Sequence, residues 1–229
     1  MKNNHKVIVL FICFSFVINS LAAQWALPDA TAESTELTQI KTAYSQAGQV
    51  SCKMMYRLYA PSTTRAADSL SGSLTMFGND YHFKVAHFEY IKEGSLLLYV
   101  DHQAHELVLL NTGQNGGNPV DAGILASMLD KEGVATTLQN LGGKQRKLSL
   151  DMPQSGIENV EVWYTTDTYF VGHTRLKLSA NQAIVDVQYS QYNQQKVKKM
   201  PSIKQFAVLK NKKYTASAAF KQYKLSVRG

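Results

Sequence analysis

The stretch "SGSLTMFGNDYHFKVAHFEYIKEGSLLLYVDHQAHELVLL", residues 71–110, decides the fold class. Apolar and polar residues alternate through it with a period of two, as strands with one buried face require, and turn formers interrupt it at Gly78-Asn79-Asp80 and Lys92-Glu93-Gly94. Tyr81, Phe83 and Val85 share one face, while Phe88 and Tyr90 fall on the other unless a bulge near Ala86 or His87 shifts the register. A strand from Ser95 to Val100 turns through 101–105 and returns from Glu106 to Leu110. The spacing predicts an antiparallel meander, which curls into a sheet, a barrel or a half-barrel.

The flanking segments extend this plan. Upstream, "QVSCKMMYRLYA" (49–60) alternates Val50, Cys52, Met54, Tyr56 and Leu58 with mostly polar neighbours and reads as another strand. Before it, "ESTELTQIKTAYSQAG" (33–48) reads as a helix, with Leu37, Ile40, Tyr44 and Ala47 on one face and Gly48 as its stop. Downstream of the Gly/Asn-rich "NTGQNGGNP", the stretch 120–143 regains helical character: Ile124, Leu125, Met128 and Leu129 form an apolar stripe, and a further turn or two ends at Gly142-Gly143. Strand signals return in "KLSLDM", "NVEVWYTT", "HTRLKLSA" and "AIVDVQYSQY", and the last 25 residues read as two short strands around a Lys-rich turn. The expected class is α+β: a strongly curved antiparallel sheet, a half-barrel or open barrel, covered by an N-terminal helix and a short central helical insertion.

The chain opens with Lys2 and Lys6 around a polar start, then the apolar run "VIVLFICFSFVI" (7–18), then "NSLAAQ". That run is too short to span a bilayer and has the layout of a cleavable secretory leader, so residues 1–23 are expected to be removed and 24–229 to form one β-rich domain. No other segment reaches the length of apolar residues that a membrane helix needs. The expected location is the periplasm, with secretion or association with the outer membrane left open. Beyond the leader only Cys52 remains, so no internal disulfide is available and stability rests on packing. Charge is divided unevenly: residues 24–186 hold 12 basic and 17 acidic side chains, whereas beyond Asp186 there are 10 basic and none acidic. Such an end suits an anionic membrane surface or an envelope protein, or serves as a solvated Lys-rich edge; export argues against nucleic acid.

Few residues point to chemistry. His102 and His105 would face each other across a two-residue loop at Gln103-Ala104, close enough to share a metal ion, with Asp101 and Glu106 nearby. A useful site needs three or four converging ligands, and those carboxylates alternate to the opposite face, so the stretch reads as a polar hairpin tip and no metal is expected. Lys53 points away from Cys52, which leaves the thiol unactivated. No nucleophile elbow, phosphate loop, dinucleotide fingerprint or Cys-x-x-Cys pair is present. No catalytic residue and no cofactor is expected. The candidate site is instead an inventory of large, adaptable apolar residues: Met54, Tyr56, Phe83, Phe88, Tyr90, Leu98, Trp163 and Tyr189. Such residues either fill an ordinary core or line a lipid cavity.

The order of these elements resembles the periplasmic outer-membrane lipoprotein carriers, the LolA/LolB-like half-barrels. The resemblance covers roughly Leu37 to Leu110 and is carried by "LTQIKTAY", "VSCKMMYRLYA", Gly72-x-Leu74, Gly94 and Leu98-Tyr99 ahead of a hairpin. The Pro- and Arg-containing stretch typical of those carriers is replaced by Phe77-Gly78-Asn79-Asp80. The resemblance implies an incomplete antiparallel barrel whose concave apolar face shelters acyl chains, with the segment around Ile124, Leu125, Met128 and Leu129 as a lid. It implies acyl chains or a lipoprotein as partner and no chemical step. The competing expectation is an envelope assembly module that binds a protein through its sheet edges and basic C-terminal region.

Overall fold

The computed structural model describes residues 32–78, 80–111, 135–151, 156–194 and 200–228. Among them one helix, α1 (Ala32–Gln46), precedes β1 (Gln49–Tyr59), β2 (Asp68–Phe77), β3 (Asp80–Val85), β4 (Phe88–Glu93), β5 (Leu96–Asp101) and β6 (Glu106–Asn111). A second run comprises β7 (Ala135–Gly142), β8 (Gln145–Asp151), β9 (Ile157–Thr165), β10 (Val171–Leu178) and β11 (Ile184–Asn193). The chain ends with β12 (Ala207–Lys210), β13 (Lys213–Ala216) and β14 (Lys224–Arg228), interspersed with two short 3-10 turns.

Twelve strands form one sheet in the order β14-β6-β5-β4-β3-β2-β1-β11-β10-β9-β8-β7, and β12 pairs with β13 separately. The two meanders meet where β1 pairs with β11, and every pairing in the large sheet is antiparallel except that of β14 with β6. Its outermost strands, β14 and β7, do not pair with each other, so the sheet is not closed.

Two expectations require correction. The stretch read as one strand across residues 81–91 is two: β3 and β4 pair Val85 with Phe88 across a tight turn at Ala86-His87, where Ala86 adopts φ +49°. The turn puts Phe88 and Tyr90 on the same face as Tyr81 and Phe83, which a continuous strand would have separated. Residues 135–142, read as helical, form β7 instead. Leu138 and Leu141 sit at helical spacing, but the segment pairs along β8 from Ala135↔Asp151 to Gly142↔Gln145. Sheet pairing, a tertiary effect, overrides the local period.

One glycine is required by close approach. A Cβ on Gly72 of β2 would lie 2.6 Å from the carbonyl oxygen of Lys84 on β3. Another is required by conformation: Gly94, at φ +60°, turns β4 into β5, and its N–H donates to Asp80 Oδ1 at 2.8 Å.

The large sheet carries buried apolar residues on both faces at the β4–β6 end. Ile91, Leu98, Val100, Leu107 and Leu109 are covered by Ile203, Phe206, Phe220 and Tyr223 of the C-terminal segment. Burial on both faces explains the nearly unbroken apolar run "LLLYV" of β5, since neither parity of that strand meets water. On the opposite face, α1 buries Leu37 and Ile40 against Leu148, Leu150, Val160 and Val162 of β8 and β9. Hydrogen bonds fix its seat. Tyr164 donates to Glu36 Oε2 at 2.8 Å, Val171 N–H donates to the Tyr44 hydroxyl at 3.1 Å, and Tyr192 donates to the Val171 carbonyl at 2.6 Å.

Candidate functional site

Alternation in β1 to β5 sends one set of side chains to the face opposite the C-terminal segment. Val50, Cys52 and Met54 of β1, Leu74 and Met76 of β2, Tyr81, Phe83 and Val85 of β3, Phe88 and Tyr90 of β4, and Leu97 and Tyr99 of β5 form one buried cluster. Within it the rings of Tyr56, Phe83, Tyr90, Tyr99 and Phe88 make a continuous chain, with successive centroids 6.0, 5.6, 5.1 and 5.8 Å apart. Tilted, edge-on and stacked contacts at these distances stabilise aromatic pairs beyond their area alone. Methionine softens the wall: Met54 Sδ lies 3.9 Å from the Tyr56 hydroxyl.

This wall contains most of the residues expected to contact lipid. Met54, Phe83, Phe88 and Tyr90 are each at most 5% exposed, and Tyr56 and Tyr189 pack against them partly buried. Burial raises the phenol pKa values of Tyr81, Tyr90 and Tyr99 well above the ordinary value and pushes that of Tyr189 up to about 12. The wall is therefore uncharged. From outside the sheet, the described residues that join it are Phe170 and, at the end of α1 and just beyond, Ala43, Tyr44 and Ala47.

Leu98 and Trp163 do not belong to this set. Each is flanked in sequence by residues of the opposite parity. Leu98, fully buried, lies under the C-terminal segment, between Leu97 and Tyr99 of the wall. Trp163 follows Val162 and precedes Tyr164, whose side chains enter the core beneath α1. Its indole stacks on His173 at 4.2 Å, with Lys147 and Arg175 each 5.7 Å from the ring. His173 Nε2 and the Arg175 guanidinium in turn bond Asp186 Oδ2, at 2.7 and 3.1 Å. The expected lid residues Ile124, Leu125, Met128 and Leu129 lie outside the described residues.

Sequence inspection missed a charged cluster on the other face. Glu89 of β4, 7% exposed, receives Lys84 Nζ at 2.7 Å, His82 Nε2 at 3.1 Å and His102 Nε2 at 3.0 Å. Burial raises the Glu89 pKa, but these three donors outweigh it and hold the carboxyl down at about 2. With Nε2–H of His102 directed to Glu89, its Nδ1 accepts from the Tyr223 hydroxyl at 2.9 Å, which ties the C-terminal segment to the sheet. The four residues between β5 and β6 thus place His102 against Glu89 and His105 edge-on to Tyr223, 5.0 Å between centroids. Asp101 Oδ1 closes the turn by accepting from the N–H groups of Gln103 and Ala104. Among the described residues no group of three or more His, Cys, Asp or Glu side chains is arranged to hold a metal ion.

Cys52 is 5% exposed, and burial pushes its thiol up to about 12, which suits packing and not nucleophilic attack. A cleft of about 500 Å³ opens between the end of α1 and the β9–β10 turn, lined by Gln46, Asp167 and Thr168 and also by Ala43, Ala47 and Phe170, which join the wall. It contains none of the eight residues expected to contact lipid. No helix among the described residues is long and apolar enough to cross a membrane.

No family model matches this chain, and no curated protein does. Among solved structures it is similar to an uncharacterized conserved protein from Thermus thermophilus, with a TM-score of 0.53 and 9% identity over 86% of this chain and 100% of that one. That likeness is one of fold. It is also similar to a LolA superfamily protein from Nitrosomonas europaea, with a TM-score of 0.38 and 11% identity over 75% of this chain and 96% of the other. A putative outer membrane lipoprotein-sorting protein domain from Vibrio parahaemolyticus is similar at a TM-score of 0.36 and 8% identity, over 70% and 92% of the two chains.

Proposed function

We propose that this protein binds an amphiphile, a lipid or a lipidated protein, by receiving its acyl chains against the aromatic wall of the sheet, and that it performs no chemical step. The observation that carries this reading is the unbroken run of rings from Tyr56 through Phe83, Tyr90 and Tyr99 to Phe88, edged by Met54 and Met76. An acyl chain received against the uncharged wall would gain dispersion contacts with its rings, and the flexible Met side chains can part to admit it. Each CH₂ group kept from water contributes ~0.8 kcal/mol, so even part of an acyl chain would outweigh displacement of a few rotamers. In this reading residues 1–23 are a leader removed on export, 24–229 form one domain working in the periplasm, and the open sheet bends around the wall as a half-barrel.

The competing reading, an assembly module that binds a protein partner along a sheet edge, draws on β7. This eight-residue edge strand, "ATTLQNLG", carries no charge and leaves Leu141 45% exposed. An uncharged edge is one to which another strand can be added. The two readings separate on extraction of the purified protein with organic solvent followed by mass spectrometry of the extract. Acyl binding predicts one amphiphile per chain, or uptake of a fluorescent fatty acid by a stripped sample. Neither lipid nor uptake would leave the edge-binding reading in its place.

A further inference from the structure

From the C-terminal hairpin we infer a second, independent property: β12 and β13 form a device that docks on an anionic phospholipid surface. The hairpin packs on the core through Tyr214 and Ala216 of β13. Cross-strand partners place Ala207, Ala216, Leu209 and Tyr214 on one face, and along that face burial falls from Ala207, 1% exposed, to Leu209, 59% exposed. Opposite Leu209, Tyr214 still packs on the core, so it is β12 that leaves the core at Leu209 and exposes that leucine beside the tip.

Two features of the tip work against its own folding. Lys210 and Lys213 stand directly opposite each other, where like charges repel. Asn211 and Lys212 both adopt left-handed backbone, φ +48° and +63°, in a two-residue turn whose second position favours glycine. Leu209, 59% exposed, adds an apolar side chain beside them. A Lys-rich edge whose purpose was only to repel other strands would need neither the leucine nor a strained lysine. Local rules broken together at one place mark a site where something outside the chain supplies the compensation.

The charge of the surroundings specifies that partner. Lys204, Lys210, Lys212, Lys213, Lys221, Lys224 and Arg228 are all exposed, and none takes part in an ion pair among the described residues. No acidic residue follows Asp186. Lys210, Lys212 and Lys213, in the same hairpin as the exposed Leu209, match the interface of an anionic bilayer, where lysines meet headgroup phosphates and leucine enters the acyl boundary; the remaining cations add to the positive charge of the C-terminal region. This docking does not depend on the aromatic wall and stands whether or not the wall holds a ligand.

The test is flotation of the purified protein with vesicles of phosphatidylcholine, with and without phosphatidylglycerol, at low and high salt. Wild type is expected to bind only the anionic vesicles and to release them at high salt. Lys210→Ser, Lys212→Gly and Lys213→Ser combined should weaken binding roughly 100-fold, at about fivefold per lysine. Because Gly suits the turn and the cross-strand repulsion is removed, the same triple variant should unfold at no lower urea concentration than wild type. Leu209→Thr should weaken binding about tenfold. Equal binding to neutral vesicles, or anionic binding unchanged in both variants, would overturn the inference. So would capture by an acidic polypeptide with no binding to phosphatidylglycerol, which would indicate a protein partner.

Discussion

Replacing Glu89 by Gln tests how three donors hold one buried carboxylate at the seam of the sheet and the C-terminal segment. In the folded protein the carboxyl is held down at about 2 from an ordinary 4.5, because the bonds from His82, Lys84 and His102 outweigh the opposing effect of burial. An acid whose pKa is depressed by folding stabilises the native state at every pH above its unfolded value, and that contribution is lost as pH falls from 4.5 towards 2. The drop from 4.5 to about 2, at ~1.4 kcal/mol for each factor of ten, amounts to roughly 3 kcal/mol. Lys84 is half exposed, so its ammonium returns to water when the carboxylate is removed, and the loss stays below that of a fully buried pair. Urea unfolding at neutral pH should therefore show Glu89→Gln destabilised by about 2–3 kcal/mol. Between pH 4.5 and 2 the wild-type curve should fall more steeply, and the two should converge at the acid end. A variant within roughly 0.5 kcal/mol of wild type at neutral pH, or two parallel curves, would refute the assignment of these donors to Glu89.

Other outcomes follow from single close contacts. Gly72→Ala places a Cβ 2.6 Å from the Lys84 carbonyl oxygen and 3.3 Å from Val85 Cβ, so strands β2 and β3 must separate locally. The expected cost is about 1–3 kcal/mol in urea unfolding, and an unchanged midpoint would contradict the pairing of Gly72 with Val85. Cys52, with its thiol pushed up to about 12 inside the wall, should resist iodoacetamide at mildly alkaline pH in the native protein and react fully once unfolded. Rapid labelling of the native protein would show that the wall opens far more readily than its burial implies.

The parts of the fold legible in the sequence are those decided by short-range alternation and turn chemistry. β1, β2 and β6 follow from the period of two, and β5 from a short apolar run bounded by the Gly94 turn and the 101–105 hairpin tip. At Ala86-His87 the sequence suggests a bulge at most, because the site contains neither glycine nor asparagine, and Ala86 in left-handed backbone is a cost that only the finished sheet imposes. β7 escaped notice because its two leucines mimic a helical stripe. The parallel addition of β14 to β6 joins residues more than a hundred positions apart, as with Lys224 and Glu106, and no local signal records it. The same limit applies to the site. Periodicity establishes that Leu97 and Leu98 oppose each other, but which of them faces the aromatic wall depends on what the C-terminal segment covers. The Glu89 cluster draws on β3, β4 and the β5–β6 turn at once, so its members carry no shared motif.

The most direct test of the acyl-binding account is photo-crosslinking with a fatty acid that bears a diazirine along its chain, followed by mass spectrometry of the cleaved protein. The account predicts adducts on peptides containing Met54, Phe83 and Tyr90, lost when unlabelled fatty acid competes. Adducts confined to the cleft around Gln46 and Thr168, with none on the strands of the wall, or labelling that competitor does not displace, would contradict it.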